Sequence, residues 1–306
     1  MKNTPQRIAY VIDSLSFGGA ERQVSILARS LPSHYRPLVV SLAERLDPFG
    51  NDLRERGIDV AALPRRCHND IGRLWHLTGL LKRAGVGVVH GWLDAANAYA
   101  YPAGRMLRLP VVLSLRNEIL RVSGGKASVL AWMLRHADGV LVNSKKGKTY
   151  LESIVRVNPR KILHVGNWVD PESRPGVRDI PGTDEPPTIG FVGRFAKQKR
   201  LPLLLAAFRQ VHDLVPGSRL ILMGGGSERD ALVRRAAHLG IENRVEFVDP
   251  DPDVGRTLRR IHVFALPSAF EGLPNAAIEA MAMGIPVIAT RVGDLEDLIV
   301  EGNTGL

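Results

Sequence analysis

Residues 271–290 read EGLPNAAIEAMAMGIPVIAT, from Glu271 to Thr290, and the reading of the whole chain turns on them. The spacing predicts a loop, then a helix beginning near Pro274, then a buried strand over 286–290. Proline suits a first helical turn, whose backbone N–H has no intrahelical partner. Ala276, Ala277, Ala280 and Met281 favour helix, and Gly284 followed by Pro286 closes it. Glu271 then falls just ahead of the helix. At ~1.5 Å per residue, Glu279 lies only ~7–8 Å past its start. The amides of residues 273–276 point out of the helix end and favour a phosphate. Carboxylates on either side of an anion-binding helix end suit a ligand with hydroxyls at both ends and phosphate in the middle. A nucleotide sugar has that chemistry. Glu271 alone could equally be a partner for the helix dipole. Glu279 interrupts a nearly unbroken apolar segment, where an acidic residue is rarely buried without a partner.

At 306 residues the chain has room for two domains of ordinary size. With 45% hydrophobic and 24% charged residues it has an average globular composition. No stretch approaches 18 consecutive apolar residues, so no membrane span is expected. The opening MKNTPQRIAYVID lacks the apolar core and cleavage site of a signal peptide. A single cysteine, Cys67, excludes an internal disulfide and a cysteine-based metal cluster. The expected compartment is the cytoplasm. The net charge of +10 is uneven: residues 1–175 hold 26 Lys+Arg against 14 Asp+Glu, or +12, and the remainder carries −2. The basic half suits anionic substrates, an anionic membrane surface or simple solvation. No stacking platform or nucleic-acid motif accompanies it, so a nucleic-acid partner is not expected.

Strands and helices alternate from the start, the pattern of βα units on parallel sheets, and the fold class expected is α/β. Strands are predicted at 7–12, 37–42, 58–63, 86–90, 110–115 and 139–144. Helices are predicted from Ala20, over 70–84 and over 126–136. Residues 171–187 hold five of the chain's 20 prolines and little periodicity, which marks a linker. A second series follows, with strands at 187–195, 219–226, 244–248, 262–266 and 286–290, and helices at 200–214 and 227–239. The organisation expected is a domain over 1–170, a linker over 171–187 and a second domain over 188–306.

Three loops add chemistry. FGGAER (17–22) places Gly18 and Gly19 between a strand and a helix, where a ligand can approach the backbone or where the chain merely turns tightly. GRFAKQKR (193–200) puts Arg194 and Lys199 after a strand, where open α/β sheets bind ligands and where cations would neutralise a departing diphosphate. MGGGSERD (223–230) offers Gly224 for a further close approach. In DPDPD (249–253) the alternating prolines indicate a turn, and Asp253 reads as a helix N-cap rather than a metal ligand. His90 ends a predicted strand, where it could meet a sugar hydroxyl or serve the core.

The Glu-x7-Glu spacing of Glu271 and Glu279, the string GGAERQV and the Arg194/Lys199 pair together resemble the retaining family 4 glycosyltransferases, over essentially the whole chain. The resemblance implies the GT-B fold, two Rossmann-like domains facing across a cleft, and no essential metal or cofactor. It implies that Glu271 contacts the transferred sugar and that Glu279 holds the ribose hydroxyls. Arg194 and Lys199 would bind the donor diphosphate, with Gly272, Leu273, Pro274 and Asn275 lining the donor at the helix end. Gly18 and Gly19 would face the sugar, and Gly224 would pass near the base. Arg116 stands where many relatives carry a histidine that touches the sugar. With His90 and Asn117 it is a candidate sugar or acceptor contact.

The partners implied are a nucleoside diphosphate-sugar donor and a glycan or lipid-linked acceptor. Attachment at an anionic membrane surface would run through the helix at 70–84, with Arg65, Arg66, Arg73, Lys82 and Arg83 beside Trp75. Relatives continue beyond the TGL turn for another strand and helices, so a shortened C-terminal domain with an open sheet edge is expected. The alternatives are a non-catalytic nucleotide-sugar-binding module and a sugar-nucleotide epimerase of the same fold.

Overall fold

A computed structural model describes residues 6–65, 70–116, 124–170 and 186–306. The expected linker at 171–187 lies almost wholly outside the described residues, as do Arg66, Cys67 and Asn117. The chain divides into two compact units, Met1–Asn167 and Trp168–Leu306.

In the first unit the elements run β1 (Gln6–Ile12), α1 (Gly19–Arg29), β2 (Tyr35–Ser41), α2 (Phe49–Glu55), β3 (Asp59–Ala62), α3 (Ile71–Arg83), β4 (Val88–Trp92) and α4 (Asp94–Met106). They continue as β5 (Val111–Leu115), α5 (Gly125–His136), β6 (Gly139–Val142), α6 (Lys145–Tyr150) and β7 (Ile162–His164). The seven strands form one parallel sheet in the order β3-β2-β1-β4-β5-β6-β7. Both faces are covered, which explains why the central strands read as unbroken apolar runs. Along β1, Ala9 and Val11 face one core with Leu77, Leu81, Ala100 and Leu134. The alternate residues Tyr10 and Ile12 face the other, with Val24, Leu53 and Trp92.

The second unit runs β8 (Thr188–Val192), α7 (Leu201–Leu214), β9 (Arg219–Met223), α8 (Arg229–His238), β10 (Val245–Val248), α9 (Val254–Leu258) and β11 (Val263–Leu266). It ends with α10 (Asn275–Ala282), β12 (Val287–Ala289) and α11 (Leu295–Leu298). Its parallel sheet has the order β10-β9-β8-β11-β12. Phe191, Phe195, Phe208 and Phe264 are fully buried among Leu201, Leu205, Leu220 and Ala277. Each such side chain removed from water is worth roughly 2–3 kcal/mol.

Three expectations need correction. The fourth strand runs to Trp92, so His90 lies within β4 and not at its end. The helix expected near Pro274 is present: Pro274 precedes α10 as its cap residue in extended geometry, and the helix proper starts at Asn275. Helices α2, α4 and α6 stand where the sequence pattern indicates no helix. The second sheet's edge is not open along β12: Leu306 N–H donates to Val287 O and Ala289 N–H to Leu306 O, both at 2.9 Å. Asp253 does cap a helix, its Oδ1 accepting from Arg256 N–H at the start of α9.

In both sheets the strand order reverses once, between β1 and β4 in the first unit and between β8 and β11 in the second. Open α/β sheets bind ligands at the carboxyl ends of the strands flanking such a point.

Candidate functional site

In the second unit, β8 and β11 deliver two loops to the same sheet edge. After β8 come Gly193 and the exposed Arg194, then a single 3-10 turn, Lys197–Lys199, before α7. After β11 the chain runs through Ser268 and Glu271 to α10. Lys199 Nζ stands 2.5 Å from Glu271 Oε1, and the two side chains are only 16% and 10% exposed. The backbones beside this pair are also tied. Ala269 N–H donates to Gln198 O at 2.8 Å, and Gln198 Nε2 to Phe270 O at 2.7 Å. From the opposite side Thr290 Oγ1 donates to Ser268 O at 2.5 Å and Asp294 N–H to Gly272 O at 3.1 Å. Gly293, at φ +58°, lets this last contact close, since a Cβ there would lie 1.9 Å from Gly272 O. The loop carrying Glu271 is therefore held on both flanks.

α10 completes the edge. Its first intrahelical bond is from Ile278 N–H to Pro274 O at 3.3 Å, so the amides ahead of it stand at the positive end of the helix. Ala277 and Ala280 pack into the core, and Glu279 lies between them in the chain, 7% exposed. The Lys199–Glu271 pair thus sits at the switch point, with Arg194 on the same loop as Lys199 and α10, which carries Glu279, following the loop of Glu271. The arrangement can receive an anion at the helix end and hydroxyls on either side.

The glycine loop after β9 has a packing reason of its own. A Cβ at Gly224, whose φ is +146°, would come within 2.0 Å of Gly193 O. The loops after β8 and β9 therefore touch backbone to backbone, and Phe195 N–H donates to Gly225 O at 2.7 Å. In the acidic turn after β10, Asp249 pairs with Arg229 at 2.9 Å and Asp251 Oδ1 accepts from Asp253 N–H at 2.8 Å. Among the described residues no cluster of three His, Cys, Asp or Glu is placed to hold a metal ion.

In the first unit, Gly18 precedes α1 as its cap residue and Gly19 is the helix's first residue. Ser14 Oγ donates to Glu21 Oε1 at 3.0 Å beside them. Asp13, which no sequence pattern marks, follows β1 directly and accepts from Ala96 N–H at 2.7 Å, bracing the first turn of α4. Burial raises its carboxyl to about 6; the Ala96 amide opposes this, and the Glu21 and Asp94 carboxylates add to it.

His90 is a core residue. Its Nε2 lies 2.7 Å from Ser114 Oγ, and its ring packs between Tyr10 and Trp92. Burial, with the Arg116 charge second, lowers it to about 3, so the imidazole stays neutral. Arg116 directly follows β5. Its guanidinium lies 3.9 Å over the Trp92 ring, and Nη1 donates to Asn167 Oδ1 at 3.0 Å. On α3, Leu77 and Leu81 are buried and Trp75 is 61% exposed. Arg73 is not the surface cation its position suggests. It is buried, donates to Leu42 O at 3.1 Å and lies over the Tyr99 ring. Arg65, Lys82 and Arg83 are exposed. Among the described residues no helix is long and apolar enough to cross a membrane.

Residues 17–173 match the family described as Glycosyltransferase Family 4, and residues 186–306 match the one described as Glycosyl transferases group 1. The chain is 40% identical over 126 residues to the Vi polysaccharide biosynthesis protein VipC/TviE of Salmonella typhi, covering 40% of this chain and 21% of that one. It is 35% identical over 182 residues to the D-inositol 3-phosphate glycosyltransferase of Mycobacterium marinum, covering 55% of this chain and 38% of that one. The chain thus spans well under half the length of these curated relatives. Among solved structures, Anabaena Alr3699/HepE in complex with UDP and glucose superposes with a TM-score of 0.82 at 22% identity, over 98% of this chain and 85% of that one. That likeness establishes the fold as GT-B.

Proposed function

This chain belongs to Glycosyltransferase Family 4, and from that premise we propose that it moves a sugar from a nucleoside diphosphate donor to an acceptor hydroxyl, retaining the anomeric configuration and needing no metal. The observation that carries the reading is the Lys199–Glu271 ion pair at the β8/β11 switch point, beside the amino end of α10. Glu279, buried within α10, takes the ribose hydroxyls. Lys199, Arg194 and the helix end at Asn275 take the diphosphate, with Gly272, Leu273 and Pro274 forming the backbone around it. Glu271 meets the transferred sugar. Gly224, in the loop after β9 of the same unit, is the residue proposed for the base.

The chemistry asked of these groups is electrostatic. As the bond from the anomeric carbon to the phosphate oxygen breaks, negative charge gathers on the leaving diphosphate. Positioned cations and amides stabilise that charge most where water is excluded. The acceptor oxygen bonds to the anomeric carbon on the face the diphosphate leaves, and its proton passes to the departing phosphate oxygen. Arg194 and Lys199 supply the positive charge that a metal ion would otherwise bring. The acceptor class favoured is a polysaccharide, lipopolysaccharide or glycolipid precursor, met at the anionic inner face of a membrane by the basic first unit.

The test is to incubate the chain with UDP-, GDP- and ADP-sugars in EDTA and measure released nucleoside diphosphate. Release from one of them, undiminished by the chelator, is expected. Binding without release would leave a nucleotide-sugar-binding module, and loss in EDTA restored by manganese would contradict the metal-free reading.

A further inference from the structure

Arg116, Asn143 and Asn167 follow β5, β6 and β7, and the register pairs Leu115 with Val142 and Val142 with His164, so all three reach one carboxyl edge of the first sheet. Arg116 is 9% exposed. Asn167 Oδ1 accepts from its Nη1 and also from Asn143 Nδ2 at 3.3 Å. Arg116 Nε is buried without a hydrogen-bond partner, as are Trp92 Nε1 beneath it and Asn143 Oδ1 beside it. Among the described residues no carboxylate pairs with this guanidinium. A lone amide oxygen and a π face return only part of what desolvating a cation costs. The neighbourhood registers the uncompensated charge: burial draws Arg116 down to about 9, and the same charge helps keep His90 neutral.

A neutral sugar hydroxyl would be met adequately by an amide or an imidazole. A guanidinium whose Nε lacks a partner and whose Nη1 meets only a neutral amide oxygen matches an oxyanion better, since its planar fork suits parallel hydrogen bonds. We propose that Arg116, seated on Trp92, is a subsite for an acidic group, carboxylate or phosphate, carried by a sugar that this chain handles. That the ligand is a sugar rests on the function proposed above. The acid could sit on the transferred sugar or on the acceptor, and the experiment separates the two.

Glucuronate and glucose 6-phosphate, with glucose as the neutral control, would be titrated into the full chain and into Arg116→Gln and Arg116→Lys, followed by ligand-observed NMR. The wild type should bind both acidic sugars roughly 10- to 100-fold more tightly than glucose. Arg116→Gln should lose that preference and Arg116→Lys keep part of it. Nucleoside diphosphate affinity, read in parallel, should be unchanged in both variants, since its proposed site lies in the second unit. Equal binding of glucose and the acidic sugars, or acid binding that survives Arg116→Gln, overturns the proposal. Should the glutamine variant fail to fold, the lysine variant decides, because losing the fork must weaken acid binding. Transfer from UDP-glucuronate against UDP-glucose, and onto phosphorylated against neutral acceptor sugars, then shows which substrate carries the Arg116 dependence. If no nucleoside diphosphate binds the wild type, the transferase reading fails, and the sugar titrations still decide Arg116.

Discussion

Lys199 Nζ lies 2.5 Å from Glu271 Oε1, so the turn after β8 and the loop after β11 are joined by charge at the edge where a diphosphate would dock. The pair fixes the ammonium in place before any ligand arrives. The same carboxylate then competes with a phosphate for it. Glu271→Gln keeps the shape and removes the competition. It should bind a bare nucleoside diphosphate roughly 3- to 5-fold more tightly than the wild type. Turnover of the sugar donor should fall by about 100-fold or more, because the group proposed to meet the transferred sugar is altered. Calorimetry reads the first effect and nucleotide release the second. A variant with wild-type turnover would remove Glu271 from the chemistry.

Gly293 and Gly284 both have positive φ, yet they differ in surroundings. A Cβ at Gly293 would meet Gly272 O at 1.9 Å, whereas one at Gly284 meets nothing within 4 Å. Gly284→Ala should therefore cost about 1–2 kcal/mol of stability from conformation alone. Gly293→Ala should cost about 2–4 kcal/mol, adding overlap to strain, and should also weaken donor binding by displacing the Glu271 loop. Urea unfolding of the two variants makes the comparison. Equal losses would mean that the Gly272–Gly293 approach is not a constraint.

These two loops also show what could be read from the chain itself. The strands of both sheets announce themselves as apolar runs, because parallel strands are buried on both faces. The chain itself shows Arg194 and Lys199 after a strand and Glu271 and Glu279 about a helix start, and the fold brings Lys199 and Glu271 into contact. Helix α4 was not legible. It packs through Ala96, Ala100, Tyr101, Ala103 and Gly104, and Pro102 inside it speaks against a helix from sequence alone. A Cβ at Gly104 would strike Val111 Cγ2 at 2.4 Å, so the close approach demands glycine's smallness. The expected strand stops at His90, just before Gly91, whereas β4 runs on to Trp92. Gly91 instead makes room in β4 for Asn97, whose Oδ1 would lie 2.5 Å from an added Cβ. Asp13 carried no motif, since its role is set by a backbone amide 83 residues away.

Asp13 and His90 give the fold two opposing pH dependences. Between the ordinary Asp value of 3.8 and about 6, the folded chain keeps a proton on Asp13 that the unfolded chain has released, so stability falls as pH rises. Between about 3 and the ordinary His value of 6.5, the unfolded chain binds a proton that buried His90 refuses, so stability rises with pH. Each slope reaches at most about 1.4 kcal/mol per pH unit, and over the shared window they offset one another. The wild type should therefore vary little with pH from 4 to 6, Asp13→Asn should make stability rise across that range, and His90→Gln should make it fall. Urea midpoints across that range decide. Parallel curves for all three proteins would mean that neither group titrates as its burial dictates.

The basic first unit should bind anionic lipid. Trp75 is exposed on α3, with Lys82 and Arg83 exposed at the end of that helix and Arg65 exposed ahead of it. Each such cation near an anionic bilayer contributes ~1 kcal/mol, enough together for weak, reversible attachment. The chain should sediment with anionic vesicles and not with neutral ones, high salt should release it, and Trp75→Ala should weaken it. Equal behaviour toward both vesicle types would reduce the positive charge to solvation and favour a soluble acceptor.

The claim on which the rest depends is that α10 holds a nucleotide through Glu279, and calorimetry tests it directly. UDP, GDP and ADP would be titrated into the wild type and into Glu279→Ala, with circular dichroism confirming that both are folded. The account predicts that the wild type binds at least one of the three and that the variant binds it roughly 10- to 100-fold more weakly, having lost charged hydrogen bonds to the ribose. Equal affinity in the two proteins would contradict it.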